Sequence, residues 1–161
     1  MDTNLQQILA LRKAGKLEEA SACMRTLLQT DIHNALYQYQ MAWCYDNLGL
    51  ETEAVPHYEQ AIALGLTGED LQGAYAGLGS TYRALGQYEL AEKTLQAAIK
   101  QFPNAHYFKV FYAMTLYNLQ QHDKAMEYLL TTLAETTNDE GILQYQKAIL
   151  FYSDKLNQTW D

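Results

Sequence analysis

The stretch YRALGQYELA, residues Tyr82–Ala91, decides the fold of this chain because its pattern occurs three more times. The other copies are LRKAGKLEEA at Leu11–Ala20, YDNLGLETEA at Tyr45–Ala54 and LYNLQQHDKA at Leu116–Ala125. Their final alanines lie at positions 20, 54, 91 and 125, so the steps between copies are 34, 37 and 34 residues. A regular step of this size is typical of stacked repeat proteins, in which each unit packs on its neighbours.

Each copy predicts a turn between two helices. Gly15, Gly49 and Gly86 follow apolar-periodic segments, where glycine readily takes the left-handed conformation that ends a helix. The alanine that closes each copy is small enough to let two helices cross closely, and tyrosines such as Tyr82 fill the space beside the crossing. Only two prolines and nine glycines occur in 161 residues, which favours long helices over a loop-rich β fold.

The repeats resemble those of tetratricopeptide-repeat (TPR) proteins, whose period is 34 residues. The third repeat matches the family pattern most fully, through Tyr75, Leu78, Gly79, Tyr82, Gly86, Tyr88, Ala91, Ala98 and Pro103. The first repeat is the most degenerate, since Asn4 stands where an aromatic residue is usual. The resemblance implies an all-α, right-handed superhelical solenoid. It also implies one domain over residues 1–161, with helix–turn–helix repeats at about 1–34, 35–68, 72–105 and 106–139.

Two irregularities are expected in this array. Three extra residues around 65–70 lengthen one step, and the order Thr67 then Asp70 predicts a capped helix that begins about one turn early. The segment from about 140 to 157 has apolar residues at helical spacing and predicts one helix that caps the open end of the solenoid. Four repeats and this capping helix give nine helices. The alternative is half of a fifth repeat, completed by a second subunit.

Charge and composition restrict the partners. The formal net charge is −8, and an acidic chain repels phosphate groups, so nucleic-acid binding is disfavoured. No apolar run approaches the ~18 residues of a membrane span, and the N-terminus lacks the features of a secretory signal, so we expect a cytoplasmic protein. Cys23 and Cys44 lack CxxC spacing and are expected to be reduced, buried thiols. The stretch Gly68–Arg83 resembles small bacterial cytosolic TPR proteins without an assigned activity, which implies a bacterial origin.

The sequence contains no motif for catalysis or for a cofactor. Its histidines show no metal-ligand spacing such as HExxH; they are His33, His57, His106 and His122. The residues Gly77–Ser80 superficially resemble a phosphate loop, but they fall inside a predicted helix in which Gly79 is a packing position. We therefore expect no enzyme, no metal site and no cofactor.

The family resemblance also implies where a ligand would bind, because the first helix of each repeat lines a concave face. The offsets that face a ligand hold aromatic, methionine, amide and arginine side chains, several of which are types enriched at protein interfaces. The candidate groove residues are Tyr39, Trp43, Asn47, Arg83, Tyr107, Met114, Tyr117 and Asn118. Asp46, Arg12 and Lys13 occupy other such offsets, but Arg12 and Lys13 are expected to be solvated. Either the aromatic side chains are exposed for recognition, or neighbouring repeats and the C-terminal helix cover them.

The residue types exclude one mode of ligand binding that some members of the family use. Chaperone-binding TPR domains hold a terminal carboxylate with a Lys and Asn pair and further basic residues, but Leu5, Leu9 and Gly73 occupy three of those positions. Leucine and glycine side chains cannot donate hydrogen bonds. The leading hypothesis is an interaction module or adaptor that binds a peptide or protein segment in an aromatic groove. The alternatives are a homodimer or larger homo-oligomer assembled through the last helix or the groove, and a secretion-type chaperone.

Overall fold

A computed structural model describes residues 2–160 of the chain. These residues form ten α-helices and no β-strand, which confirms the all-α class. The helices are α1 (Thr3–Lys13), α2 (Leu17–Thr30), α3 (Ala35–Asn47), α4 (Glu51–Ala63), α5 (Gly68–Ala84), α6 (Tyr88–Gln101), α7 (Tyr107–Asn118), α8 (His122–Thr136), α9 (Glu140–Gln144) and α10 (Gln146–Tyr152). None of these ten helices combines the length and the apolar character that a bilayer span requires.

The helices fall into two compact units. The first unit ends at Gln87 and holds α1 to α5; the second begins at Tyr88 and holds α6 to α10. Within the first unit, successive helices pack on one another from α1 to α5, and α3 also contacts α5. Within the second unit, α7 packs on α6 and α8, and α10 contacts α8. A single domain over residues 1–161, with the repeat boundaries given above, stays a prediction.

The repeated string forms the same turn at each of its four positions. In every copy the backbone N–H of the sixth residue donates to the carbonyl oxygen of the first, at 2.8–3.0 Å. The fifth residue has a positive φ, which is 76° at Gly15, 69° at Gly49 and 73° at Gly86. This hydrogen bond and this φ define the Schellman motif, which satisfies carbonyl groups that a helix end would otherwise leave unpaired. The sequence-predicted turns are therefore confirmed at these three glycines.

The core of the first unit alternates small and large side chains. Ala20, Ala42 and Ala54 are completely buried, which allows the helix axes to approach closely. Met24 and Tyr58 fill the spaces beside these crossings, and each such burial contributes on the order of 2 kcal/mol to folding. One buried cluster joins α1, α2 and α3; its members are Leu5, Ile8, Ala20, Met24, Leu27, Leu28, Met41 and Cys44.

The core of the second unit ties α7 to its neighbours by both apolar and polar contacts. Phe108 and Leu116 are completely buried, and the Phe108 ring lies 6.2 Å from that of Phe102. The Tyr112 hydroxyl accepts a hydrogen bond of 2.8 Å from Gln96 Nε2, and it donates one of 3.2 Å to Glu92 Oε1. These contacts fix the position of α7, and with it the orientation of the α7 residues that the sequence marks as candidates.

The extra residues before α5 lengthen that helix, as the sequence predicts. It has 17 residues and begins at Gly68, whereas α3 has 13 residues and α7 has 12. Thr67 precedes the helix in an extended conformation, but its side chain makes no capping hydrogen bond. The expected capping bond is therefore wrong. The chain instead reverses through Gly65 and Gly68, whose φ angles are 86° and 63°.

The C-terminal segment differs from the single capping helix that the sequence predicts. It forms two short helices, α9 and α10, which are separated at Tyr145. The Tyr145 N–H donates to Ile142 O, a tight turn that ends α9, and Gln146 Nε2 donates to Ala134 O at 2.7 Å. Because this second bond anchors the start of α10 to α8, the chain bends instead of continuing as one helix. Neither short helix has a buried residue.

The two cysteines lie in different environments. Cys44 is buried and Cys23 is exposed, and neither forms a disulfide bond. The expectation that both are buried is therefore wrong for Cys23. Its neighbour Met24 is completely buried, so it occupies the core-facing position on α2, and a residue one place earlier on a helix points about 100° away.

Candidate ligand-binding surfaces

The first candidate surface lies on α3, where Tyr39, Trp43 and Asn47 follow one another at intervals of four residues. This spacing places them on one side of the helix. Trp43 is 40% exposed and Asn47 is also exposed, whereas Tyr39 is only 7% exposed. The Tyr39 and Trp43 rings are stacked with their centroids 5.9 Å apart. The Trp43 side chain is therefore exposed at the surface, and the buried Tyr39 ring packs against its inner side.

Tyr39 is held in this supporting position by α4 and α5. Its ring centroid lies 6.2 Å from that of Tyr58, and its hydroxyl end fits against Gly73, where a Cβ would overlap it. Glycine at this position thus makes room for the tyrosine. The packing fixes the angle at which α3 presents Trp43.

Arg12 of α1 completes the surface, although sequence reasoning expected it to be solvated. Its guanidinium carbon lies 3.6 Å from the centroid of a Trp43 ring, which is a cation–π contact. Arg12 Nη1 also donates a hydrogen bond of 2.8 Å to Gln40 Oε1. Burial lowers the pKa of Arg12, but an arginine remains cationic at neutral pH. We call Arg12, Gln40 and Trp43 the arginine–tryptophan site.

Asp46 lies one turn after Trp43 on α3, but its carboxylate makes hydrogen bonds to buried side chains of the unit. Its carboxylate accepts hydrogen bonds from the Tyr58 hydroxyl at 2.6 Å and from Thr81 Oγ1 at 2.9 Å. It thereby links α3 to both α4 and α5. Burial raises the pKa of Asp46, and the two hydrogen bonds only partly oppose this effect. Although Asp46 occupies a ligand-facing offset, both of its carboxylate oxygens are therefore engaged within the unit.

Arg83 is the remaining candidate in the first unit. It lies in the last turn of α5 and is partly buried. A cation there interacts favourably with the negative end of the helix dipole.

The second candidate surface lies on α7. Tyr107 is 42% exposed and Tyr117 is 62% exposed, while Met114 and Asn118 are partly buried. The Tyr107 ring lies 4.4 Å from that of Phe108, and burial raises the pKa of Tyr107. The structure therefore places the candidates on two surfaces, one in each unit, and both present exposed aromatic side chains.

Side chains suited to hold a metal ion are also absent from the described part of the chain. Within residues 2–160, no group of three or more His, Cys, Asp or Glu side chains could coordinate one.

His57 contacts the side chains of both Gln38 and Tyr45. Gln38 Nε2 donates to Ile32 O at 2.7 Å, so Gln38 Oε1 faces His57 at 2.6 Å and accepts a hydrogen bond from Nδ1–H. The His57 ring stacks on Tyr45 at 5.4 Å.

The partial burial of His57 predicts that the stability of the protein depends on pH. Burial lowers the pKa of His57 below its ordinary value of 6.5, so the unfolded chain binds the proton more tightly. The stabilisation is present above about pH 6.5 and is lost as the pH falls below it, by at most about 1.4 kcal/mol per pH unit. We expect urea unfolding between pH 7.5 and 5.5 to show a steeper loss for the wild type than for His57→Gln. The exposed His33→Gln serves as the control, and equal slopes for the wild type and His57→Gln would contradict the assignment.

Comparison with known families identifies the repeats. The sequence matches the family described as "Tetratrico peptide repeat" over residues 35–156. This match covers α3 to α10 and therefore includes both candidate surfaces except for Arg12. A search of the curated proteins finds no match.

Several solved structures share the fold. MamA from Desulfovibrio magneticus RS-1 aligns with a TM-score of 0.75 at 17% identity, over 96% of this chain and 86% of that one. YrrB, described as a TPR protein with an unusual peptide-binding site, has a TM-score of 0.64 at 22% identity, over 91% and 84%. A chain of the APC/C hetero-tetramer Cut9–Hcn1 has a TM-score of 0.74 at 18% identity, over 91% and 29%. At these identities the likeness establishes the fold alone.

Proposed function

The chain belongs to the tetratricopeptide-repeat family, and on that premise we propose that it is a protein–protein interaction module and not an enzyme. It binds a peptide or a protein segment through the aromatic residues on the first helices of its repeats. The family match over residues 35–156 supports this general role. The peptide-binding site of YrrB, which has the same fold, supports a peptide as the ligand.

The observation that carries the proposal is the exposure of aromatic side chains on α3 and α7. Trp43, Tyr107 and Tyr117 are all at least 40% exposed, although each could have been covered by neighbouring helices. Tryptophan, tyrosine and arginine dominate the energetics of protein interfaces because they offer large apolar area together with a polar group. An extended or helical segment with apolar anchors fits such surfaces. In this proposal Asn47, Arg83 and Asn118 orient its backbone or an acidic group.

The charge of the chain supports protein partners over nucleic acids or membrane surfaces. With a net charge of −8, the chain is repelled by phosphate backbones and by anionic lipid headgroups. We propose a cytoplasmic location and a bacterial origin, as the sequence suggests. No cofactor and no metal ion have a place in the proposed function.

Alanine substitution tests the two surfaces. Short random peptides are selected on the wild-type protein, and the affinities of the selected peptides are measured by titration calorimetry. We expect Trp43→Ala and Tyr117→Ala each to weaken binding at least tenfold, about 1.4 kcal/mol, because each removes an exposed aromatic anchor.

The C-terminal segment provides matched controls. Trp160→Ala and Tyr145→Ala remove the same residue types from positions that are 57% and 63% exposed but lie outside the two surfaces. They should leave the affinity unchanged. If the selected peptides bind Trp43→Ala and Tyr117→Ala as tightly as the wild type, while circular dichroism shows intact folds, the proposed surfaces are wrong.

A second candidate function is self-association through the C-terminal part of the chain. Met126, Leu129 and Leu133 form an exposed apolar stripe on α8, since they recur at intervals of three and four residues. Contiguous exposed apolar residues commonly mark protein interfaces. Analytical ultracentrifugation at micromolar concentration separates the two candidates. A dimer that Leu129→Lys dissociates would support self-association, and a monomer would exclude it at that concentration.

A further inference from the structure

We infer that the arginine–tryptophan site binds a carboxylate of the ligand, so that the preferred ligand is a peptide with an acidic group next to an apolar or aromatic residue. This inference rests on the proposed function and deepens it, because it names the chemistry of the peptide. The Lys and Asn positions of the chaperone-type clamp hold Leu5 and Leu9. The binding group here is instead a single guanidinium, located one helical turn after Leu9.

The charge of Arg12 is the first feature that favours an anionic ligand. No carboxylate oxygen in the described part of the chain lies within 4.0 Å of its guanidinium nitrogens. A partly buried cation without an ion pair has lost part of its hydration and gains most from an anion that can approach it. The protein carries 19 acidic residues against 11 basic ones, so the missing ion pair does not follow from a shortage of carboxylates.

The carboxylate that follows Trp43 on α3 is already engaged within the unit. Asp46 lies on α3 one turn after Trp43, but both of its oxygens accept hydrogen bonds from within the unit, from Tyr58 and Thr81. Asp46 is therefore committed to linking α3, α4 and α5. It does not neutralise Arg12, and the positive charge of the site stays available to a ligand.

The orientation of the Arg12 guanidinium is the remaining feature that favours a carboxylate. Stacking at 3.6 Å on Trp43 fixes its plane, and the bond to Gln40 orients Nη1. An arginine has five N–H donors in one plane, so donors remain after the bond to Gln40 and the contact with the Cys44 side chain. A planar fork fixed in this way is suited to a carboxylate, which accepts two parallel hydrogen bonds. The exposed remainder of the Trp43 ring is suited to an adjacent apolar side chain.

The test uses short random peptides selected on the wild-type protein. Each selected peptide is synthesised with a free carboxyl terminus and with an amidated terminus, and each is also made with its Asp and Glu residues changed to Asn and Gln. These forms distinguish a terminal carboxylate from a side-chain carboxylate. The protein variants are Arg12→Gln and, as the matched control, Arg25→Gln, which removes one exposed arginine from α2.

We expect removal of one class of carboxylate to weaken binding to the wild type at least tenfold. Arg12→Gln should weaken binding of the carboxylate form by a similar factor, whereas Arg25→Gln should have no effect. The loss of affinity from removing the carboxylate and the loss from Arg12→Gln should not add, since either change removes the same interaction. Thermal unfolding of both variants shows whether the fold is retained, and Arg12→Lys provides a second variant that keeps the charge but lacks the planar fork.

Two other results would contradict the inference. One leaves the proposed function intact, and the other contradicts the proposed function as well. If the peptides bind through Trp43 but their affinity depends neither on a carboxylate nor on Arg12, the inference is wrong and the proposed function survives. If no peptide binds the wild-type protein, both are wrong.

Discussion

Replacing Gly77 with alanine should lower the free energy of unfolding by about 2 kcal/mol, because the new Cβ overlaps a buried ring. A Cβ at this position lies 2.8 Å from Tyr58 Cε1 and still closer to the end of the ring. The ring has little freedom to move, since Tyr58 is only 2% exposed and its hydroxyl is bonded to Asp46. Alanine gains about 1 kcal/mol in helix propensity, so the overlap itself has to cost about 3 kcal/mol.

Urea unfolding measures this effect, and Gly73→Ala is the matched comparison. Both substitutions lie on α5 and gain the same helix propensity, and a Cβ at Gly73 would lie 2.1 Å from the hydroxyl oxygen of Tyr39, a second buried tyrosine. We expect a comparable loss at Gly73. Adding Tyr58→Leu should destabilise Gly77→Ala less than it destabilises the wild type. Equal stability of the wild type and Gly77→Ala would show that the α4–α5 contact is looser than described.

Replacing Asp46 with alanine should destabilise the protein still more, by about 3 kcal/mol. The substitution leaves the Tyr58 hydroxyl and Thr81 Oγ1 without their acceptor, and each buried group left unpaired costs about 1–3 kcal/mol. Both Tyr58 and Thr81 are buried, so water cannot easily replace the carboxylate. The effect should appear as a lower urea midpoint at neutral pH.

Asp46→Asn is the control for this prediction. Its amide oxygen still accepts a hydrogen bond, and it lacks the charge whose burial raises the pKa of Asp46, so we expect a loss of no more than about 1 kcal/mol. In the Asp46→Ala background, Tyr58→Phe should cost little because the hydroxyl is already unpaired. A loss as large for asparagine as for alanine would contradict the hydrogen-bond explanation.

The repeat period made most of the fold predictable. Helix–turn–helix units follow from a recurring string because each copy forms the same hydrogen-bonded turn. Gln120 shows that the period carries more information than the propensity of one residue. It takes a φ of 61°, although a non-glycine residue there costs about 1–2 kcal/mol. The turn nevertheless stays in register, since Gln121 N–H still donates to Leu116 O at 2.9 Å and α7 packs on α8.

The repeat period is less informative where the repeats end. The sequence showed that residues beyond 139 are amphipathic, but a hydrogen bond from Gln146 to the end of α8 decides where the helix breaks. Such a contact joins residues that no local pattern relates. The start of α5 was predictable for the opposite reason, because the insertion and the glycines around 65–68 are local features.

The candidate site was predictable in its residue types and less so in the roles of individual residues. The family offsets marked α3 and α7, and both helices do present exposed aromatics. The offsets could not show that Asp46 turns inward or that Arg12 lies on Trp43, because both facts depend on side-chain contacts between helices. One signal was present in the sequence. Arg12 occupies a ligand-facing offset in a chain with few basic residues, and that combination favours a specific role over a solvated one.

The stacking of Arg12 on Trp43 makes the intrinsic fluorescence of Trp43 a reporter of this site. The chain has only two tryptophans, so Trp160→Phe leaves Trp43 as the sole indole. Excitation of an indole redistributes its charge. The emission wavelength of Trp43 therefore depends on the electric field of the Arg12 guanidinium, whose carbon lies 3.6 Å from the ring centroid. An anion that neutralises this cation would change that field. Steady-state emission spectra of the single-tryptophan protein could thus follow occupancy of the site without any attached dye.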